Sequence, residues 1–315
     1  MRLNYHLFLS FHIFCPQSLE KRGNIFRYIN EAIENWYEIG PKMQGGNNIY
    51  SNKVVILIHI ITHLFRIGLR QTVGFIAGYL EQIGKNLQVI SYSQASRRFK
   101  KLNIKINDCR IDKDNMEDIE IAIDSTSISI YNNTPGHSKE NSENRKYRSY
   151  EQVKKLHVML NINSKKAIAA KYSSGVYSDH YGACDLLEEV HAVKVLYADR
   201  AYDRHKLYEL CNKFGIKTKV LPKNNATEHQ KLDYMDDRNA AVRLIKSYDC
   251  IKKWKEEVNY GKRAHIEGFF SRLKQIFGFS FRNKSEVNRG KELLIKCYLL
   301  NQFTDIGMAK FEMAT

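Results

Sequence analysis

Four side chains able to bind metal or phosphate recur at helical spacing in YGKRAHIEGFFSRLK, residues 260–274. At about 100° per residue, Arg263, Glu267 and Lys274 fall within roughly 60° of Tyr260 on a helix. The apolar residues of the segment cover an adjoining arc and would pack on a core. A carboxylate between two cations and a phenol suits a metal ion held beside a phosphate. The alternative is a surface helix with an ordinary Arg263–Glu267 pair, worth about 0.3 kcal/mol.

Two aspartates stand at the ends of predicted strands. Asp124 follows the alternating apolar residues 119–123, a pattern typical of a half-buried strand. Beyond it the apolar positions change parity, so we expect a bulge or a strand end near Ser125. Asp199 follows the apolar run 193–197, and the carboxyl ends of strands are where open α/β sheets bind ligands. Asp124 could instead cap the turn after its strand.

A third aspartate, Asp203, has a structural explanation. It precedes a predicted helix that runs to about Lys213 and is stopped by Gly215, so we expect it to be the helix N-cap. Asp199 has no comparable structural role and is therefore the better candidate for a metal ligand.

The spacing of the 260–274 segment resembles the Y-(2)-R-(3)-E-(6)-K signature of a group of bacterial insertion-sequence transposases of the DDE class. The resemblance covers roughly residues 18–310. It implies that Asp124, Asp199 and Glu267 form the metal-binding Asp-Asp-Glu triad, and that Tyr260, Arg263 and Lys274 contact DNA phosphates.

The same resemblance implies a DNA transposase that cleaves and joins strands at the ends of an insertion element. Two Mg²⁺ ions, for which Mn²⁺ would substitute, are the implied cofactors. The implied partners are double-stranded DNA with terminal inverted repeats, target DNA, and further copies of the chain assembled on DNA. We expect a bacterial cytoplasmic, nucleoid-associated protein with no membrane partner. Two alternatives remain open: a metal-dependent nuclease on the same fold, and an inactive DNA-binding remnant.

One residue departs from the family pattern. The second motif usually reads Asp-Gly-Ala-Tyr-Asp, and here Arg200 replaces the glycine. If the turn needs a positive φ at this position, the arginine costs on the order of 1 kcal/mol. We therefore expect Arg200→Gly to raise activity or stability.

The remaining elements predict an α/β protein with a ribonuclease H-like mixed sheet. A hairpin at residues 156–162 and 167–172, a helix at 185–191 and a strand at 216–221 accompany the two aspartate strands. We divide the chain into a poorly matching segment (residues 1–17), a helical region (18–110) and the catalytic domain (117–315), with a polar connector at 135–150.

The helical region contains three predicted helices, at residues 52–66, 69–83 and 93–102. The third carries Arg97 and Arg98 among four basic residues and follows a turn, as a recognition helix does in a helix-turn-helix unit. The alternative is an amphipathic helix packed on the catalytic domain with a solvated basic face. The resemblance favours contact with DNA.

The composition agrees with a polyanionic partner. Fifty Lys plus Arg against 34 Asp plus Glu give a net charge of +16 and a pI near 9.4. Six scattered cysteines without a C-x-x-C pair indicate reduced thiols rather than a disulfide framework. His59 and His63 are four residues apart, but without a third ligand they do not predict a zinc site.

Overall fold

The structure is a computed structural model of the 315-residue chain. It describes residues 11–12, 17–40, 49–104, 106, 119–130, 153–229, 231–307 and 312–313. The predicted connector at 135–150 and most of the segment 1–17 lie outside the described residues.

A five-stranded mixed sheet forms the centre of the molecule, and a two-stranded sheet joins residues near the two chain ends. The strands are β1 (Phe11–His12), β2 (Glu120–Ser129), β3 (Val153–Asn161), β4 (Lys166–Ser174), β5 (Val195–Ala198), β6 (Lys217–Val220) and β7 (Glu312–Met313). The order in the large sheet is β4-β3-β2-β5-β6, with β2, β3 and β4 antiparallel and β2, β5 and β6 parallel. The predicted hairpin and the ribonuclease H-like α/β arrangement are therefore confirmed.

Eleven α-helices pack around the large sheet within the described part of the chain. They are α1 (Gln17–Arg22), α2 (Phe26–Glu34), α3 (Asn52–Leu64), α4 (Leu69–Gln82), α5 (Tyr92–Phe99), α6 (Asp179–Glu189), α7 (His205–Lys213), α8 (Asp236–Tyr248), α9 (Ile251–Glu257), α10 (Ala264–Phe277) and α11 (Glu286–Ile306). Helices α3, α4 and α5 match the three helices predicted for the helical region. Helix α6 begins six residues earlier than predicted.

Strand β2 is buried on both faces, and this explains its change of parity. Its pairing with β3 runs unbroken from Ile121 to Ser129, so the expected bulge or strand end near Ser125 is wrong. Ile121 and Ile123 pack in a core with α6, whereas Ala122 and Ile128 pack in a larger core with α10. The apolar positions change parity because the core around α10 reaches further along β2 than the core around α6.

The helical region shares the larger core with the catalytic part. Val54 and Ile58 of α3 and Phe99 of α5 are buried in the same cluster as residues of α10 and α11. The two parts are also joined by Arg66, which follows α3 with a φ of 54°. Its guanidinium donates to the carbonyls of Gln275 and Ile276 at 2.9 and 3.0 Å, in the last turn of α10.

Within the described ranges, no single helix is both long enough and apolar enough to cross a membrane. Helices α3 and α4 meet the length and composition only as a pair, and the chain bends by 113° between them.

Candidate active site

Two parallel strands bring Asp124 and Asp199 to the same edge of the sheet. Strand β2 pairs with β5 through Ala122 opposite Tyr197, and each aspartate stands two residues further along its strand direction. Neighbouring strands lie about 4.8 Å apart, so the two carboxylates are close. Ala122 and Tyr197 belong to the core around α10, so both aspartates follow residues that face that helix.

The surroundings of Asp124 disfavour its charge. Burial raises the pKa of its carboxyl from 3.8 to about 6, and the charges of Asp199 and Asp179 act in the same direction. The backbone N–H of Ser125, which donates to Oδ1 at 2.8 Å, and the Arg263 guanidinium lower the pKa in opposition. A carboxylate that is nearly four-fifths buried among like charges would gain from a bound cation.

Glu267 approaches Asp124 from helix α10. It lies in the first turn of α10, and its side chain is 55% exposed. The guanidinium of Arg263 lies between Glu267 and Asp124: Nη2 contacts Glu267 Oε1, and Nη1 is 3.5 Å from Asp124 Oδ2. The Arg263–Glu267 pair expected at helical spacing is therefore present, and Arg263 also contacts Asp124 on strand β2.

The turn before α10 is fixed to the sheet. Tyr260–Arg263 form a 3₁₀ turn, so the predicted helix begins at Ala264 rather than at Tyr260. The buried hydroxyl of Tyr260 donates to the carbonyl of Ala198 at 2.9 Å, directly before Asp199. Lys262 pairs with Glu120 on β2. These contacts fix the backbone that leads into Arg263.

Lys274 lies away from the carboxylates. It is two helical turns beyond Glu267, or about 10 Å along the axis, and its ammonium lies 6.0 Å from the ring centre of Phe279. Burial lowers the pKa of Lys274 from its ordinary value. The structure thus brings Tyr260 and Arg263 to the aspartates and leaves Lys274 further along the same helix.

Both aspartates of the second motif have structural roles that the sequence did not predict. Asp199 caps the 3₁₀ turn Arg200–Tyr202, because its Oδ1 accepts from the N–H of Ala201 at 2.8 Å. Asp203 does not cap a helix, since Arg204 is the residue before α7. Asp203 is instead buried against Arg238, whose Nε donates to it at 2.7 Å.

The buried Asp203 remains charged because of its partners. Burial alone would raise the pKa of its carboxyl, but Arg238 and the backbone N–H of Lys223 hold it below the ordinary value. The N-cap prediction for Asp203 is therefore wrong, although a structural role for this residue is correct.

Arg200 adopts an ordinary backbone conformation. It is not among the described residues with positive φ, and it begins the 3₁₀ turn that Asp199 caps. Its Nε donates to the carbonyl of Pro222 at 3.0 Å. The expectation that this turn strains a non-glycine residue is wrong, and with it falls the reason for expecting a gain from Arg200→Gly.

Sequence reasoning missed a polar network beside Asp124. Asp179, in the first turn of α6, accepts from Ser125 Oγ at 2.7 Å and from Lys155 Nζ at 2.9 Å. The hydroxyl of Tyr202 is buried next to Asp124, Asp179 and Asp199, which together with burial raise its pKa well above the ordinary value. Asp179 does not follow a predicted strand, so the sequence offers no signal for it, and only its contacts in the fold place it beside Asp124.

The two arginines proposed for DNA contact differ in their surroundings. Arg97 is exposed, whereas Arg98 is partly buried and donates to the backbone carbonyl of Tyr50 and to Asn52 Oδ1, the latter at 2.8 Å. These groups lie at the start of α3. Arg98 therefore has a structural role at a helix N-terminus, and Arg97 is the residue available to a partner.

The donor set fits a hard divalent cation. Carboxylate oxygens are the ligands that Mg²⁺ and Mn²⁺ prefer, and the raised pKa of Asp124 reflects its burial first and the neighbouring negative charges second. Among the described residues, no three His, Cys, Asp or Glu side chains are already placed as a set of metal ligands. Between Asp124 and Glu267 the positive charge is supplied by Arg263.

Two family models match this chain, and both are described as a transposase DDE domain. One matches residues 115–301, more than half of the chain, and the other matches residues 20–133. The first match contains Asp124, Asp199 and Glu267.

Solved structures with a similar arrangement include several integrases and transposases. The piggyBac transposase synaptic complex with hairpin DNA is 9% identical over 90% of this chain and 72% of that chain, with a TM-score of 0.41. The Drosophila P element transposase strand transfer complex is 13% identical over 92% and 86%, with a TM-score of 0.27. The catalytic core domain of BIV integrase is 14% identical over 42% and 72%, with a TM-score of 0.22.

Proposed function

On the premise that this chain belongs to the transposase DDE domain family and is a DDE-type transposase, we propose that Asp124, Asp199 and Glu267 are its metal ligands. Two observations support the proposal: the pairing of β2 with β5 brings Asp124 and Asp199 close together, and the guanidinium of Arg263 contacts both Asp124 and Glu267. Asp203, which belongs to the same sequence motif as Asp199, forms an ion pair with Arg238 and is not one of the proposed ligands.

We propose Mg²⁺ as the cofactor, with Mn²⁺ as a substitute; enzymes of the DDE class depend on divalent metal. Two such ions would supply an activated water or 3′-hydroxyl and would stabilise the leaving 3′-oxygen of the cleaved strand. Asp124 and Asp199 would hold these ions from the sheet, and Glu267 would hold them from the helix. No covalent bond between protein and DNA is required.

The neighbouring residues would bind and orient the DNA strand. Tyr260 fixes the turn that carries Arg263, and the planar guanidinium of Arg263 can grip two oxygens of one phosphate. Lys274 would contact a phosphate further along the strand, since about 10 Å separate it from Glu267 along the helix axis. Asp179, which accepts from Lys155, would hold Ser125 through its hydroxyl, and the backbone N–H of Ser125 would hold the Asp124 carboxylate.

The partner we propose is double-stranded DNA with terminal inverted repeats, together with target DNA, bound by more than one copy of the chain in the bacterial cytoplasm. The net charge of +16 favours binding to phosphates and predicts affinity that falls steeply with salt. Within the helical region proposed at residues 18–110, the exposed Arg97 supports a DNA-contacting role for α5.

The test uses purified protein, a labelled duplex that ends in the element's terminal sequence, and Mg²⁺. We expect nicking followed by joined products from the wild-type protein. Asp124→Ala, Asp199→Ala and Glu267→Ala should each lose cleavage while retaining DNA binding in a gel-shift assay. Full cleavage by any one of these variants would remove that residue from the proposed triad.

A metal-dependent nuclease on the same fold would use the same carboxylates and would differ only in its products. Cleaved products that are never joined to a target would favour it. The inactive remnant was suggested by Arg200 and by the poorly matching segment 1–17. The ordinary backbone at Arg200 removes the first of these reasons. Cleavage that depends on added metal would exclude the remnant.

A further inference from the structure

We propose that Arg263 competes with the divalent metal for Asp124 and Glu267, and that a DNA phosphate relieves this competition by taking the guanidinium. DNA and metal would then each strengthen the binding of the other. This inference rests on the proposed function of the same carboxylates and concerns how their occupancy is controlled.

The first support is the position of the guanidinium. Arg263 contacts one oxygen of Asp124 and one oxygen of Glu267, and its side chain is only 19% exposed. The other Asp124 oxygen already accepts from the N–H of Ser125. A metal ion bound between Asp124 and Glu267 would therefore meet a fixed positive charge at the oxygens it needs.

The second support is that the Arg263 side chain can move without its backbone. The preceding residues Tyr260 and Lys262 hold the turn to Ala198 and to Glu120 of the sheet. The arginine side chain has several rotatable bonds, and Glu267 is more than half exposed, so the guanidinium can turn outward toward solvent. The exchange therefore requires a change of side-chain conformation and leaves the fold unchanged.

The third support is energetic. Without DNA, a metal that displaces the guanidinium takes both carboxylate partners from Arg263 at a mostly buried position, which is costly. A DNA phosphate offers the same guanidinium a bidentate partner of matching shape. Because coupling between two ligands is reciprocal, the factor by which DNA raises metal affinity equals the factor by which metal raises DNA affinity.

The experiment measures Mn²⁺ binding from the electron paramagnetic resonance signal of the free ion. Wild type, Arg263→Gln and the matched control Lys262→Gln are titrated with and without a short duplex of arbitrary sequence. Both variants lose one positive charge from the same turn, but Lys262 pairs with Glu120 and not with the triad. Asp124→Asn identifies the Mn²⁺ that binds at the carboxylates.

Without DNA, we expect Arg263→Gln to bind Mn²⁺ about tenfold more tightly than wild type, the smallest factor typical of a close charge pair. Lys262→Gln should bind Mn²⁺ as wild type does. DNA should tighten Mn²⁺ binding in wild type and in Lys262→Gln, and much less in Arg263→Gln.

Several results would refute the exchange of Arg263 between the carboxylates and a DNA phosphate. One such result is that Arg263→Gln binds Mn²⁺ no more tightly than wild type without DNA, while Asp124→Asn loses the ion. If Arg263→Gln fails to fold, wild type alone still decides, because an absence of coupling between DNA and Mn²⁺ refutes the exchange. If wild type binds no Mn²⁺ that Asp124→Asn removes, the proposed metal site itself fails, and the exchange fails with it.

Discussion

Replacing Asp124 with asparagine should make the protein more stable at neutral pH while it abolishes cleavage. The carboxyl has a pKa raised from 3.8 to about 6, chiefly by burial. A group whose pKa is higher in the folded state than in the unfolded state is most favourable to folding at low pH, and this contribution is lost as pH rises through 6. Above that pH the folded protein holds a buried charge that asparagine would remove.

The size of the effect follows from the two pKa values. At pH 8 the charged Asp124 costs the folded state about 3 kcal/mol relative to its neutral form, and at pH 5 the cost is roughly half as large. Asparagine offers one acceptor oxygen where the carboxylate offers two, to Ser125 and Arg263, so about 1 kcal/mol is lost again. We expect Asp124→Asn to be more stable than wild type by about 2 kcal/mol at pH 8 and by clearly less at pH 5.

Urea unfolding followed by circular dichroism at pH 5, 6.5 and 8 measures this difference. Other titrating groups affect both proteins, so their contributions largely cancel. The matched control is Asp203→Asn, in which the buried partner Arg238 loses its anion; it should be destabilised by about 3–5 kcal/mol. The reasoning about Asp124 is refuted if Asp124→Asn is less stable than wild type at pH 8, or if the stability difference is the same at all three pH values.

Four further substitutions have expected outcomes. Arg200→Gly should leave cleavage unchanged or lower, and should cost about 1 kcal/mol in urea unfolding through chain entropy and a lost hydrogen bond; a gain in either quantity contradicts this. Gly182→Ala should destabilise the protein by about 1–3 kcal/mol, because an added Cβ would lie 2.4 Å from Nδ1 of the buried His157; an unchanged melting temperature would refute it. Arg98→Ala should lower the melting temperature, whereas Arg97→Ala should preserve it and weaken DNA binding in a gel-shift assay; equal effects on both properties would refute the distinction.

The sequence predicted the parts of the site that depend on strand order. Apolar runs placed Asp124 on a strand and Asp199 at a strand end, and parallel pairing of β2 with β5 then brings them together, although β2 continues past Asp124 to Ser129. The apolar arc of residues 260–274 likewise predicted the packing of α10, since Ile266, Phe269 and Leu273 are buried. These features follow from periodicity, which a single sequence displays.

The errors concern contacts between residues distant in the chain. Which alternate positions of β2 are apolar depends on which helix covers each face of the strand. The role of Asp203 depends on Arg238, 35 residues further on. The backbone at Arg200 depends on how Asp199 caps the next turn. Asp179 was missed for the same reason, because its partners Ser125 and Lys155 belong to two other strands.

The core shared by the helical and catalytic regions limits how a transposase of this kind can change its DNA preference. Residues of α3 and α5 are buried in the same cluster as α10 and α11, so the helical region cannot be cut out and replaced as an independent unit. Under the proposed role of α5 in DNA binding, a new preference for DNA ends would not come from exchange of a module. It would arise one surface residue at a time, at positions such as Arg97 that lie outside the common core, and the spacing to the proposed metal ligands would stay as it is.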